Sequence, residues 1–68
     1  MRLDTKQIKN IMLLDGIKPK KLAKKLNKSD SWVYLMLQGK AGKTFKIVRQ
    51  LAKVLNCKEK DIIWFEIV

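Results

Sequence analysis

Side chains able to carry catalysis or hold a metal are scarce in this chain. It has no histidine, one cysteine (Cys57) and six carboxylates, Asp4, Asp15, Asp30, Glu59, Asp61 and Glu66, whose spacing clusters none of them. One thiol without an imidazole cannot supply the ligand count of an ordinary zinc site. No pair of carboxylates is spaced for general acid–base work. Gly42-Lys43-Thr44 ends like a phosphate-binding loop, but its earlier glycine, Gly39, is at the wrong spacing and no strand signal precedes it. No metal, cofactor, small-molecule ligand or enzymatic activity is expected.

The chemistry that remains is that of cations. Sixteen Lys and Arg stand against six acids, a net charge of +10 over 68 residues. Within residues 18–53 the basic positions are 18, 20, 21, 24, 25, 28, 40, 43, 46, 49 and 53, and Asp30 is the only acid. So one-sided a block points to a polyanion partner, and a set of solvated helix faces is the plainer alternative. A membrane surface fits less well, because no segment combines a long basic amphipathic face with exposed aromatics. The lone Cys57 makes an intramolecular disulfide impossible and suits a reducing cytoplasm. Residues 1–10 are polar and periodic, unlike a signal peptide, and no apolar run nears membrane-spanning length. A soluble, cytoplasmic protein is expected.

The elements that must position these cations are short helices. A composition of 47% hydrophobic and 32% charged residues is globular, and the length suits a single domain over residues 1–68. Leu22, Ala23 and Leu26 keep helical spacing, as do Val33, Met36 and Leu37 after a pause. Two helices are therefore expected over about residues 19–26 and 30–38, joined by a three-residue turn. Asn27 tolerates the left-handed backbone that the turn needs, Ser29 suits an N-cap, and Pro19 suits a first helical turn. Ala23 is small enough for two helices to cross closely. The pattern is a helix-turn-helix.

Flanking signals complete the chain. Asp4 and Gln7 have capping-box spacing before a first helix over residues 5–14, with Ile8, Ile11, Met12 and Leu13 or Leu14 as its buried stripe. Gly16 marks its stop, and Ile17 anchors the start of the next helix. Gly39 ends the third helix, residues 40–43 form a flexible basic loop, and Thr44 caps a fourth helix running to Leu55. Phe45, Ile47, Val48, Leu51, Ala52 and Leu55 take its core positions, and Asn56 stops it. A short fifth helix over about residues 58–63 brings Ile62 onto the core. The expected fold class is all-α, a compact five-helix domain with a short apolar C-terminal tail.

The run Leu22-Ala23-Lys24-Lys25-Leu26-Asn27-Lys28-Ser29, then Ser31-Trp32-Val33 and Leu37-Gln38-Gly39-Lys40, resembles the helix-turn-helix of the Cro/repressor (Xre) family. The resemblance continues through Leu51-Ala52-Lys53-Val54-Leu55-Asn56 and Asp61-Ile62-Ile63, about residues 5 to 63. It implies a lambda-repressor-like fold whose third helix lies in the major groove of double-stranded DNA while the second crosses the backbone. In that arrangement Lys18, Lys20 and Lys21 join the amides at the start of the second helix on a phosphate. Ser29 lies at the same border, and Lys40, Lys43 and Lys46 grip the backbone across the groove. Trp32 either packs or contacts a phosphate through its indole N–H. Base reading falls to Lys28, Asp30, Ser31, Tyr34 and Leu35: Ser31 bonds several bases, Leu35 packs on a thymine methyl, and Asp30 accepts from a cytosine amino group. No Arg, Asn or Gln takes these outward positions. The family's buried Arg–Glu pair corresponds here to Met12 and Leu37. Its usual apolar residue is replaced by Lys28, and its phosphate-contacting Gln by Pro19.

The expected function is a sequence-specific transcriptional regulator, a repressor of a bacterium or of a phage or other mobile element. The rival is a protein-interaction module, such as an antirepressor or recombination accessory protein, built on the same helices. One third helix addresses only a few base pairs, so a homodimer on a pseudo-palindromic operator is expected. The tail, residues 63–68, is the candidate pairing surface, with Trp64, Phe65 and Ile67 at the interface and a short strand crossing the two-fold axis. The alternative is that Trp64 and Phe65 cap the monomer core.

Overall fold

A computed structural model describes residues 2–64; Phe65 and Ile67 of the expected pairing surface lie outside the described residues. In chain order the elements are β1 (Arg2–Leu3), α1 (Thr5–Asp15), α2 (Pro19–Leu26), α3 (Asp30–Leu37), α4 (Phe45–Leu55), a 3-10 turn (Glu59–Asp61) and β2 (Ile63–Trp64).

Local chemistry sets the helix ends. Asp4, Ser29 and Thr44 each accept a backbone N–H from three residues on, those of Gln7, Trp32 and Ile47, at 3.1–3.3 Å. Gly16, Asn27, Gly39 and Asn56 all hold positive φ just past a helix. At each, the following N–H folds back onto a carbonyl five residues earlier: Ile17 to Met12, Lys28 to Ala23, Lys40 to Leu35 and Cys57 to Ala52, at 2.8–3.0 Å. These bonds occupy carbonyls that a helix end otherwise leaves open, and the left-handed residue that permits them is glycine or asparagine because a Cβ is costly there.

The core draws one stripe from each helix. Ile8, Leu22, Val33, Met36, Val48, Leu51 and Ile62 are fully or almost fully buried, joined by Met12, Ala23, Leu26, Leu37 and Leu55. No polar side chain is buried among the described residues. Met12 and Leu37, which the resemblance matches to a charged pair, line one apolar groove between α1 and α3. Apolar residues at both positions hold that junction without the cost of removing two charges from water.

Four expectations need correction. Four α-helices form, not five: residues 58–61 make a single 3-10 turn closed by the Asp61 carboxylate accepting from the Lys58 N–H at 3.1 Å. A longer helix is pre-empted because the Ile62 carbonyl accepts from the Asp4 N–H at 2.8 Å. The chain then pairs antiparallel with β1, Arg2 opposite Trp64 and Leu3 opposite Ile63, so the fold is not purely helical. Leu13 and Leu14 are 80% and 85% exposed, since each further residue turns about 100° from Met12 and nothing packs on those flanks. Phe45 is 56% exposed: it opens α4 two residues before the first buried position, Ile47, and so points away from it.

Candidate nucleic-acid interface

The turn between α2 and α3 comes from two adjoining caps. Asn27, at φ 56 and ψ 45, ends α2, and Ser29, extended at φ −79 and ψ 159, begins α3. Lys28 alone separates them. Ala23, 2% exposed, belongs to the core beneath the two helices, and its small side chain suits a close crossing.

The start of α2 differs from the other helix starts. Its N-cap, Lys18, makes no side-chain capping bond, whereas Asp4, Ser29 and Thr44 cap α1, α3 and α4. The first helical bond is donated by the Leu22 N–H to the Lys18 carbonyl, and Pro19 has no N–H. The amides of Lys20 and Lys21 are thus left at a positive helix end, and Lys18, Lys20, Lys21 and Lys24 surround a shallow hollow there. Backbone donors, helix dipole and ammonium groups all favour an anion at this spot. The three lysines expected at a phosphate are therefore brought together.

On α3, the expected readers Asp30, Ser31, Tyr34 and Leu35 all lie on the exposed side, with Val33, Met36 and Leu37 buried opposite. Tyr34 borders the apolar groove, together with Leu13, Pro19 and Leu37. Gln38 was not singled out from sequence, yet it is exposed at the C-cap, four residues from Tyr34 and seven from Ser31. It carries an amide on the outward face of a helix that otherwise lacks one, and the helical spacing from Ser31 was the available signal.

Trp32 faces the other flank of α3. It is half-buried against the core, and the ammonium of Lys28 stands 5.4 Å from its ring centroid. Such a contact is worth about 0.5–1 kcal/mol. Lys28 and Trp32 share a hollow with Thr44 and Lys46 at the start of α4, so the structure groups Lys28 with expected backbone contacts and apart from Tyr34. Above that hollow runs the basic loop, which is shaped by two left-handed glycines: Gly39 and Gly42 both have φ near 79. Ala41 packs on the core, while Lys40 and Lys43 remain exposed. Cations thus flank the exposed face of α3 on both sides, at the start of α2 and along the loop into α4.

A family model for the Cro/C1-type HTH DNA-binding domain matches residues 7–66. Neither the comparison with curated proteins nor that with solved structures returns a match. Among the described residues, no helix is long and apolar enough to cross a membrane.

Proposed function

The chain belongs to the family of Cro/C1-type helix-turn-helix DNA-binding domains, and from that premise we propose that it is a sequence-specific regulator of transcription that represses by occupying its operator. The carrying observation is the placement of cations on both sides of the α3 face that carries Asp30, Ser31, Tyr34 and Leu35, all exposed. Lys18, Lys20, Lys21 and the free amides of α2 hold one strand's backbone, and Lys40, Lys43 and Lys46 hold the other. Lys28, with Trp32, adds to the second group. These contacts position the protein and carry no sequence information. Discrimination falls to Asp30, Ser31, Tyr34, Leu35 and Gln38 against base edges in the major groove.

Two protomers on half-sites about one helical turn apart, paired through the C-terminal end, give the address a usable length. Selection of bound sites from random duplex DNA tests the proposal. A short, pseudo-palindromic motif is expected, and Ser31→Ala or Tyr34→Ala then relaxes the preference at individual base pairs by about 1–3 kcal/mol. A pool with no enriched motif and weak binding indifferent to sequence overturns it in favour of a protein-interaction module using Tyr34 and Leu35.

A further inference from the structure

We infer that the apolar groove between α1 and α3 is a docking site for an acidic amphipathic helix of another protein, whose arrival removes the chain from DNA. The consequence for DNA rests on the function proposed above; the docking site itself does not. Lys9, Met12 and Leu13 of α1 line the groove on one side, and Tyr34, Leu37 and Gln38 of α3 on the other. Each set keeps the i, i+3, i+4 spacing of a single helical face. The groove encloses about 460 Å³, the size of a small ligand pocket.

Floor and walls differ in kind. Met12 and Leu37 are 4% and 8% exposed and close the floor as part of the core, whereas Leu13 is 80% and Tyr34 56% exposed. Large apolar side chains standing in water beside an apolar floor mark a surface that a partner covers. Pro19 lines the groove where α2 begins, and its ring fixes the backbone there. The shape suits the apolar face of a helix, laid along the gap with anchoring side chains one turn apart.

The charges decide which helix. Lys9 and Lys18 at the rim are both exposed, and among the described residues no carboxylate lines the groove. Lys18 also borders the hollow of Lys20, Lys21 and Lys24, so the positive field continues past the groove. A partner helix with Asp and Glu beside its apolar stripe is drawn to that field, whereas a second copy of this chain, itself carrying +10, is repelled by it. Tyr34 and Gln38 face bases in the proposed DNA complex, and Lys18 faces a phosphate. A helix seated on them and a duplex therefore exclude each other, the partner's carboxylates taking the place of phosphates.

Helical peptides of random sequence, displayed on phage and selected on the immobilised full chain, provide the probe. The enriched peptides should carry apolar residues one helical turn apart with Asp and Glu between them, and as free peptides they should bind the parent in fluorescence anisotropy. Leu13→Ser removes one wall without touching the core and should weaken them about tenfold. Leu14→Ser makes the same change at an exposed residue outside the groove and should bind like the parent. Both serine variants should hold a selected duplex as the parent does. Added to that complex, the peptides should release DNA from the parent and from L14S but not, at the same concentration, from L13S. Acidic peptides that bind L13S as tightly as the parent report net charge alone and overturn the docking site; so does enrichment of peptides without acids, or of no motif. A dimer that L13S abolishes and L14S keeps would assign the groove to a second copy instead. Peptides that bind through Leu13 yet leave the duplex in place overturn the exclusion of DNA. If the parent binds no duplex but binds the peptides through Leu13, the docking site stands and the DNA-binding function fails.

Discussion

Gly42 couples the core to the basic loop, and Gly42→Ala should cost more than its small size suggests. The residue has φ +79, and an added Cβ would lie 3.0 Å from Met36 Cγ, 3.3 Å from Ile47 Cγ2 and 3.4 Å from Trp32 Cη2. Gly39 has the same φ, but a Cβ there would meet nothing within 4 Å. Placing a side chain in the left-handed region costs about 1–2 kcal/mol, which is the whole expected effect of Gly39→Ala. Gly42→Ala adds overpacking against Met36, which is fully buried and cannot swing into solvent, for about 1–3 kcal/mol more. The total of about 2–5 kcal/mol is a large share of the roughly 3–10 kcal/mol expected for a domain of this length. Urea denaturation followed by helix circular dichroism measures both variants. On DNA, Gly42→Ala should weaken every sequence alike, because the displaced loop carries Lys40 and Lys43. Equal losses for the two alanine variants would refute the packing argument and leave only the backbone term.

Ser29→Ala removes the N-cap of α3 and should cost about 1 kcal/mol in thermal or urea unfolding; an unchanged midpoint would mean that the 3.1 Å bond to the Trp32 N–H is replaced by water without loss. Burial pushes the Cys57 thiol up from its ordinary range, and the carboxylates of Asp61 and Asp15 add to the shift. Alkylation of Cys57 at neutral pH should therefore be slower than that of a free cysteine. The shift favours the folded state below the unfolded thiol's pKa, and that contribution is lost as pH rises through the folded one. A chain ending at Ile63 should sediment as a monomer where the full chain forms a dimer at micromolar concentration. A full chain that stays monomeric both free and on its DNA site would sink the dimer, and a truncated chain that unfolds would assign Trp64 to closing the monomer through its pairing with Arg2.

The sequence by itself determined the helix-turn-helix and nearly every helix boundary, because the signals there act within five residues. Asp4, Ser29 and Thr44 reach only to the third amide ahead, and Gly16, Asn27, Gly39 and Asn56 close bonds within their own last turn. The basic block likewise announced a polyanion partner without reference to the fold. Tertiary structure alone decided which apolar residues are covered: helical spacing identifies a stripe, but Leu13, Leu14 and Phe45 sit where no neighbouring element arrives. It also decided the fate of the C-terminal segment. Residues 58–63 have a helix former's local pattern, yet a partner some sixty residues earlier takes the Ile62 carbonyl and draws Ile63 and Trp64 into a strand. That same long-range pairing sets Arg2 opposite Trp64, a grouping that no local spacing encodes because the two residues stand some sixty positions apart.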